Sequence, residues 1–283
     1  MWFLWTFNFF YPSEVASFMV LVKLKLKRCK LKGLTTDLAL SYISKMKKLL
    51  VLALSFFCFI YSEGYGQSLQ NFFDEADALF GIYVVSGKVD YEALQQNPSV
   101  LNSVLKTAKQ VSVSKEDPLA YQAFWINAYN LAVIKGVVDH LPINSPLDTE
   151  GFFDRITYDL GGESITLNDI ENKKLRAKFK DARFHFVLVC GAKGCPPIIP
   201  KAYRPANLEN LLEQQTIKAL NLSSFIRVSE NKVAFSEIFK WYKEDFVGEN
   251  SNEIDFLNNY RKEKVPTDAT VTYYSYDWRL NIK

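Results

Sequence analysis

Histidine and cysteine are scarce in this chain: two histidines and four cysteines in 283 residues. That scarcity excludes a cysteine-rich scaffold and a protein built on several zinc sites. Glycine (12) and proline (10) are too few for collagen-like or low-complexity sequence, and no charge of one sign dominates, with 34 basic against 31 acidic side chains. No Gly-rich phosphate loop and no dinucleotide fingerprint is present, so no cofactor is expected. What is abundant is apolar surface: 48% of residues are hydrophobic and 15% aromatic, a composition that folds.

The net charge of +3 is unevenly placed. Met46-Lys47-Lys48 precedes an apolar run, Leu49 to Ile60, and Gly64 and Gly66 follow in a small-x-small arrangement. This is the plan of a secretory signal peptide spanning 46–66 with cleavage before Gln67, and the run is shorter than the roughly 20 residues a membrane span requires. Cys58 follows Phe56-Phe57 rather than the small residues of a lipidation box. Residues 1–45, with the aromatic run Trp2 to Tyr11 and the Lys-rich stretch 23–32, read as an upstream extension before the true initiator Met46, the rival being a basic membrane-surface helix. Residues 1–66 carry nine of the basic and three of the acidic groups, which leaves 25 against 28, a net of −3, over 217 residues. The basic character therefore leaves with the export segment, and no clustered Lys and Arg remain to argue for nucleic acid. The expected location is secreted or periplasmic, with no stable membrane span in the mature chain and an unknown substrate or envelope partner.

Residues 67–283 are expected to form a single α+β domain with a central buried helix and a small, mainly antiparallel sheet, because helical and extended patterns do not alternate regularly. Apolar positions at helical spacing predict a helix over 68–80, an extended piece follows at 84–91, and another helix is expected near 99–111. Asp117-Pro118 is a cap-plus-proline start for a helix that runs without a breaker to His140, ended by Pro142, and apolar nearly all round. Gly161-Gly162 between 156–160 and 163–167 signals a hairpin, and Thr166 with Asp169 opens a helix over 167–178. Residues 183–190 read as a buried strand. Further helices are expected at 206–220, 236–246 and 252–260, a hairpin at 225–235 and a strand near 270–276.

Without the export segment, the remaining cysteines are Cys190 and Cys195, within a few residues of His185. On a strand His185 and Cys190 would face opposite ways, which favours His185 meeting Cys195 after the turn. Four readings compete. Cys190 and Cys195 form a local disulfide, as two nearby cysteines in an exported protein commonly do. Alternatively Cys195 is a nucleophile, His185 its base and Asn127 the group that orients the imidazole, giving a thiol-dependent hydrolase or acyl-transferase. A zinc site from His185, Cys190, Cys195 and a carboxylate such as Glu171 is the third. Reduced, buried cysteines acting as small hydrophobes are the fourth. His140 is accounted for by its place at a helix C-terminus. Asn127 and Asn130 sit in so apolar a helix that their amides need partners, from main chain or from a site. Glu171 can equally face solvent, and Trp241, Tyr242, Tyr273, Tyr274 and Trp278 are expected in the core rather than in a stacking platform.

Four segments in order, Ala123 to Asn130, Leu167 to Glu171, His185 to Pro197 and Trp241 to Phe246, make the chain resemble the domain of unknown function 547 family over roughly 110–250. Bacterial members look exported. The resemblance implies positions rather than roles: Asn127, Glu171, His185, Cys190 and Cys195 match its motifs, and Cys195, His185, Asn127 and Glu171 form the candidate catalytic set. The competing class is a non-enzymatic envelope or extracellular interaction domain stapled at Cys190–Cys195.

Overall fold

The computed structural model describes residues 67–248 and 251–283, together with Ser41, Ser44, Lys45, Lys48 and Leu49, which are helical. Apart from those five positions, the expected upstream extension and signal segment lie outside the described residues. The described residues from 67 onward belong to one compact unit. Among the described residues no helix is long and apolar enough to cross a membrane.

That unit is α+β. Helix α1 (67–83) buries Phe72, Phe73, Ala76, Leu79 and Phe80, and leads into the two-residue strands β1 (Val84–Val85) and β2 (Lys88–Val89). Strands β1 and β2 fall within the stretch 84–91 expected to be extended; Asp90 then caps α2 (Tyr91–Gln96), which begins at the last residue of that stretch, and α3 (Ser99–Gln110) follows. At the centre is α4 (Pro118–His140), whose N-cap Asp117 accepts from the Ala120 amide and whose first residue is proline. Eighteen of its 23 residues are buried, so it has no solvent face and is held by its surroundings on all sides.

Strands β3 (Thr157–Leu160) and β4 (Glu163–Thr166) pair across Gly161-Gly162, both at positive φ, which only glycine adopts without strain. Thr166 then caps helix α5 (167–179). Its middle, Ile170–Arg176, is a π turn rather than regular α-helix. Helix α6 (Leu208–Asn221) precedes a three-stranded sheet in the order β5 (Arg227–Ser229), β6 (Lys232–Ser236), β7 (Thr270–Tyr274). There are thus three small sheets instead of one, antiparallel except for the β6–β7 pair. The helical stretch after β6 divides into α7 (Ile238–Trp241) and α8 (Lys243–Phe246), and α9 (Glu253–Tyr260) follows.

The expected strand at 183–190 is absent. Asp181 caps a 3-10 turn, Ala182–Phe186, and the chain that follows, 187–190, is held to α4 through Asn130 without forming a strand. A short apolar run is equally compatible with strand and with other buried backbone, and here burial without a pairing strand decided the outcome. The polar groups of this segment are met from α4: Asn130 Nδ2 donates to the Val187 carbonyl at 2.9 Å and its Oδ1 accepts from the Val189 amide at 2.9 Å. Asn127 grips the Tyr203 main chain in the same way, at 2.7 and 3.0 Å, and also bonds the Ala123 carbonyl. Each amide substitutes for a missing strand neighbour, which answers why two asparagines occupy an apolar helix.

Two apolar clusters result, one around α4 and one around the β5–β6–β7 sheet with Phe186, Phe239 and Phe246. Cys195 packs against both.

Candidate functional site

A cavity of about 280 Å³ opens beside this junction, lined in part by Glu171, His185, Cys190, Cys195, Trp241, Tyr242, Tyr276 and Trp278. The candidates read from sequence thus converge, apart from Asn127, both of whose amide atoms are engaged at Tyr203. Glu171 does not face solvent: its side chain is 13% exposed.

The π turn explains how α5 serves the site. Its Ala177 amide reaches the Asn172 carbonyl five residues back, and at that pitch residues five apart come to one side of the helix. Glu171 and Arg176 are so spaced. Glu171 Oε1 lies 3.9 Å from His185 Nδ1, and Arg176 Nε donates to Asp245 Oδ2 at 2.6 Å. His185 Nε2 donates to the same oxygen at 2.6 Å, and its ring packs on Tyr242 with centroids 4.2 Å apart. The Arg176 guanidinium lies 4.5 Å from the centroid of that same Tyr242 ring. Burial pushes the Asp245 carboxyl up, but hydrogen bonds from His185 and Arg176 outweigh it and hold the group at about 2. Asp245 is therefore a carboxylate that fixes the imidazole, the task the sequence reading gave to Asn127. Residues 241–246 carried the signal for it, an acid three positions after Tyr242 in an aromatic segment.

On the other side of the cavity the sulfurs of Cys190 and Cys195 are in bonding contact, with Cα atoms 6.4 Å apart. The Tyr276 hydroxyl lies 3.0 Å from Cys190 Sγ and donates to Cys195 Sγ at 2.9 Å, and the Cys190 amide donates to Cys195 Sγ at 2.9 Å. Tyr276 arrives on the segment after β7, which zips onto the cysteine loop: the Gly194 amide donates to the Asp277 carbonyl, Lys193 to Arg279, and Asn281 to Gly191. Gly194 permits this closeness, since a Cβ there would stand 2.8 Å from the Tyr276 ring. With the sulfurs turned to each other and His185 to Asp245, the zinc set His185, Cys190 and Cys195 is not assembled. Among the described residues no group of three or more His, Cys, Asp or Glu side chains is arranged to hold a metal ion.

The aromatic residues expected in the core divide. Tyr273 and Tyr274 are half-buried on β7, whereas Trp241 is 45% exposed and lines the cavity with Tyr242 and Trp278. Trp241, Tyr276 and Trp278 form one ring cluster with centroids 4.7 to 5.9 Å apart. His140 is at the end of α4, its Nδ1 donating to the Gly136 carbonyl at 2.7 Å, which is a local helix-end role.

Compared with known families, residues 109–218 match the model described as "Protein of unknown function, DUF547". That range holds Asn127, Glu171, His185, Cys190 and Cys195, while Tyr242, Asp245 and Tyr276 fall beyond it. No curated protein and no solved structure gives a match.

Proposed function

We propose that residues 67–283 are an exported domain that binds a small ligand in this cavity, with Cys190 and Cys195 oxidised as a disulfide in its wall. The observation that carries the reading is the contact of the two sulfurs inside the cavity lining. A loop closed by a disulfide between positions only five apart gains little through chain entropy, so its value is local: it fixes the loop onto which the Tyr276 segment zips. Export supplies the oxidising surroundings such a bond needs. N-terminal sequencing of secreted material is expected to give a product beginning near Gln67; a product that retains residues 1–45 ends the export reading.

A second reading has its own support. Cys195 Sγ accepts hydrogen bonds from the Cys190 amide and the Tyr276 hydroxyl, donors that would stabilise a thiolate once the bond is reduced. His185 faces the same cavity with its ring fixed by Asp245. In that form the chain is a thiol-dependent hydrolase or acyl-transferase. Cys195 attacks an acyl carbon, and His185 takes the thiol proton on Nδ1, the nitrogen not held by Asp245, and gives it to the leaving group as the acyl bond to that group breaks. Water or an acceptor then cleaves the thioester. Titration of thiols in the native, unreduced mature protein separates the two. No free thiol is expected at Cys190 and Cys195. Two free thiols, with one alkylated selectively near neutral pH, would reject the resting disulfide and favour the nucleophile. An acyl-transfer activity that appears on reduction, is blocked by iodoacetamide and vanishes in Cys195→Ala and His185→Ala would then establish it.

A further inference from the structure

The cavity's chemistry selects a class of ligand. Of the side chains that line it, one is a carboxylate, Glu171, and none is lysine or arginine. The nearest guanidinium, Arg176, is spent on Asp245. His185 offers little to a ligand, because its Nε2 is given to Asp245 and its Nδ1 side faces Glu171. An anion would meet the Glu171 carboxylate, while the positive charge that a protonated His185 brings to the lining is already taken up between Asp245 and Glu171. A neutral polyol would need several free polar partners, and beyond Glu171 the lining supplies chiefly Asn168 and phenol groups. Six of the thirteen lining residues are aromatic, and the exposed Trp241 leaves ring surface open to solvent. Ring faces joined to a single carboxylate in a desolvated site attract an organic cation.

The field inside the cavity agrees. Three phenols on its wall, Tyr129, Tyr242 and Tyr276, are held well above the usual tyrosine range by burial first, and the negative charge of Glu171 adds to the effect at each. That charge is thus felt on several walls of the cavity.

Resting on the reading of the cavity as a small-ligand site, we propose that its ligand is an organic ammonium carrying apolar substituents, its charge toward Glu171 and its body against Trp241, Tyr276 and Trp278. A cavity of about 280 Å³ suits a small molecule of this kind.

Tryptophan fluorescence of the purified chain, titrated with choline chloride, its neutral isostere 3,3-dimethylbutanol, benzoate and methyl β-glucoside, tests this. Choline is expected to saturate with an affinity roughly tenfold above that of the isostere. Glu171→Gln should cut that preference severalfold, the remainder being what the rings contribute, and retained binding of the uncharged isostere shows that the cavity is intact. Trp241→Ala, at an exposed position, should weaken choline binding without unfolding the chain. Equal affinity for choline and the isostere, an unaltered preference in Glu171→Gln, or tighter binding of benzoate or the glucoside overturns the cation while keeping the small-ligand reading. Silence toward all four probes overturns both.

Discussion

Asn130→Ala is expected to lower the free energy of unfolding by about 3 to 4 kcal/mol, with the loss read as a lower urea midpoint at unchanged slope. The side chain is 2% exposed and holds one carbonyl and one amide of the Val187–Val189 segment, which has no strand beside it. Truncation leaves both groups buried without partners, at a cost of roughly 1 to 3 kcal/mol for each, besides the lost amide's own contacts. Because the same segment leads directly into Cys190, the variant should also loosen the cysteine loop. Asn127→Ala should show a stability loss of similar size, since its clamp on Tyr203 has the same form. A stability equal to the parent's in either variant would contradict the main-chain role.

The second large effect is at Asp245. Asp245→Ala removes the shared acceptor of His185 and Arg176, two groups whose side chains are 3% and 15% exposed, and should cost about 3 kcal/mol at pH 7. The pH dependence has a definite sign. The folded carboxyl titrates at about 2 against an ordinary 3.8, so its contribution of about 2 kcal/mol is fully present above pH 4 and is lost as pH falls from there toward 2. The stability gap between parent and Asp245→Ala should therefore shrink by that amount between pH 7 and pH 2. A gap independent of pH would show that the carboxylate is not what His185 and Arg176 hold.

Local signals in the sequence carried much of the architecture. Asp117-Pro118, Gly161-Gly162 and Thr166 each announced an element that begins or turns there, because capping and positive φ are decided by one or two residues. The apolar composition of α4 placed it at the centre for an equally direct reason. The 183–190 segment misled because its hydrophobicity reports burial, and burial is met here by Asn130 instead of a neighbouring strand. The site was half legible. His185, Cys190 and Cys195 stand close together in the sequence, and Glu171 came with the family's pattern. Asp245 reaches His185 across 60 residues and Tyr276 reaches Cys195 across 81, and no local pattern reports contacts over such separations. The π turn that aligns Glu171 with Arg176 was likewise invisible, since its residues are ordinary helix formers.

The zipped segment after β7 has a consequence for the order in which the cysteine loop matures. Bringing two sulfurs together across five residues costs far less loop-closure entropy than bringing Tyr276 across 81. The small ring can close while the chain is still open, before the phenol and the Gly194–Asp277 pairing cover it. The proposed disulfide would then act as a template: a loop already pinned presents Gly191, Lys193 and Gly194 in the spacing that the late-arriving segment needs. On the proposed reading of an exported, oxidised domain, closure of the small ring precedes, and prepares, the completion of the cavity wall.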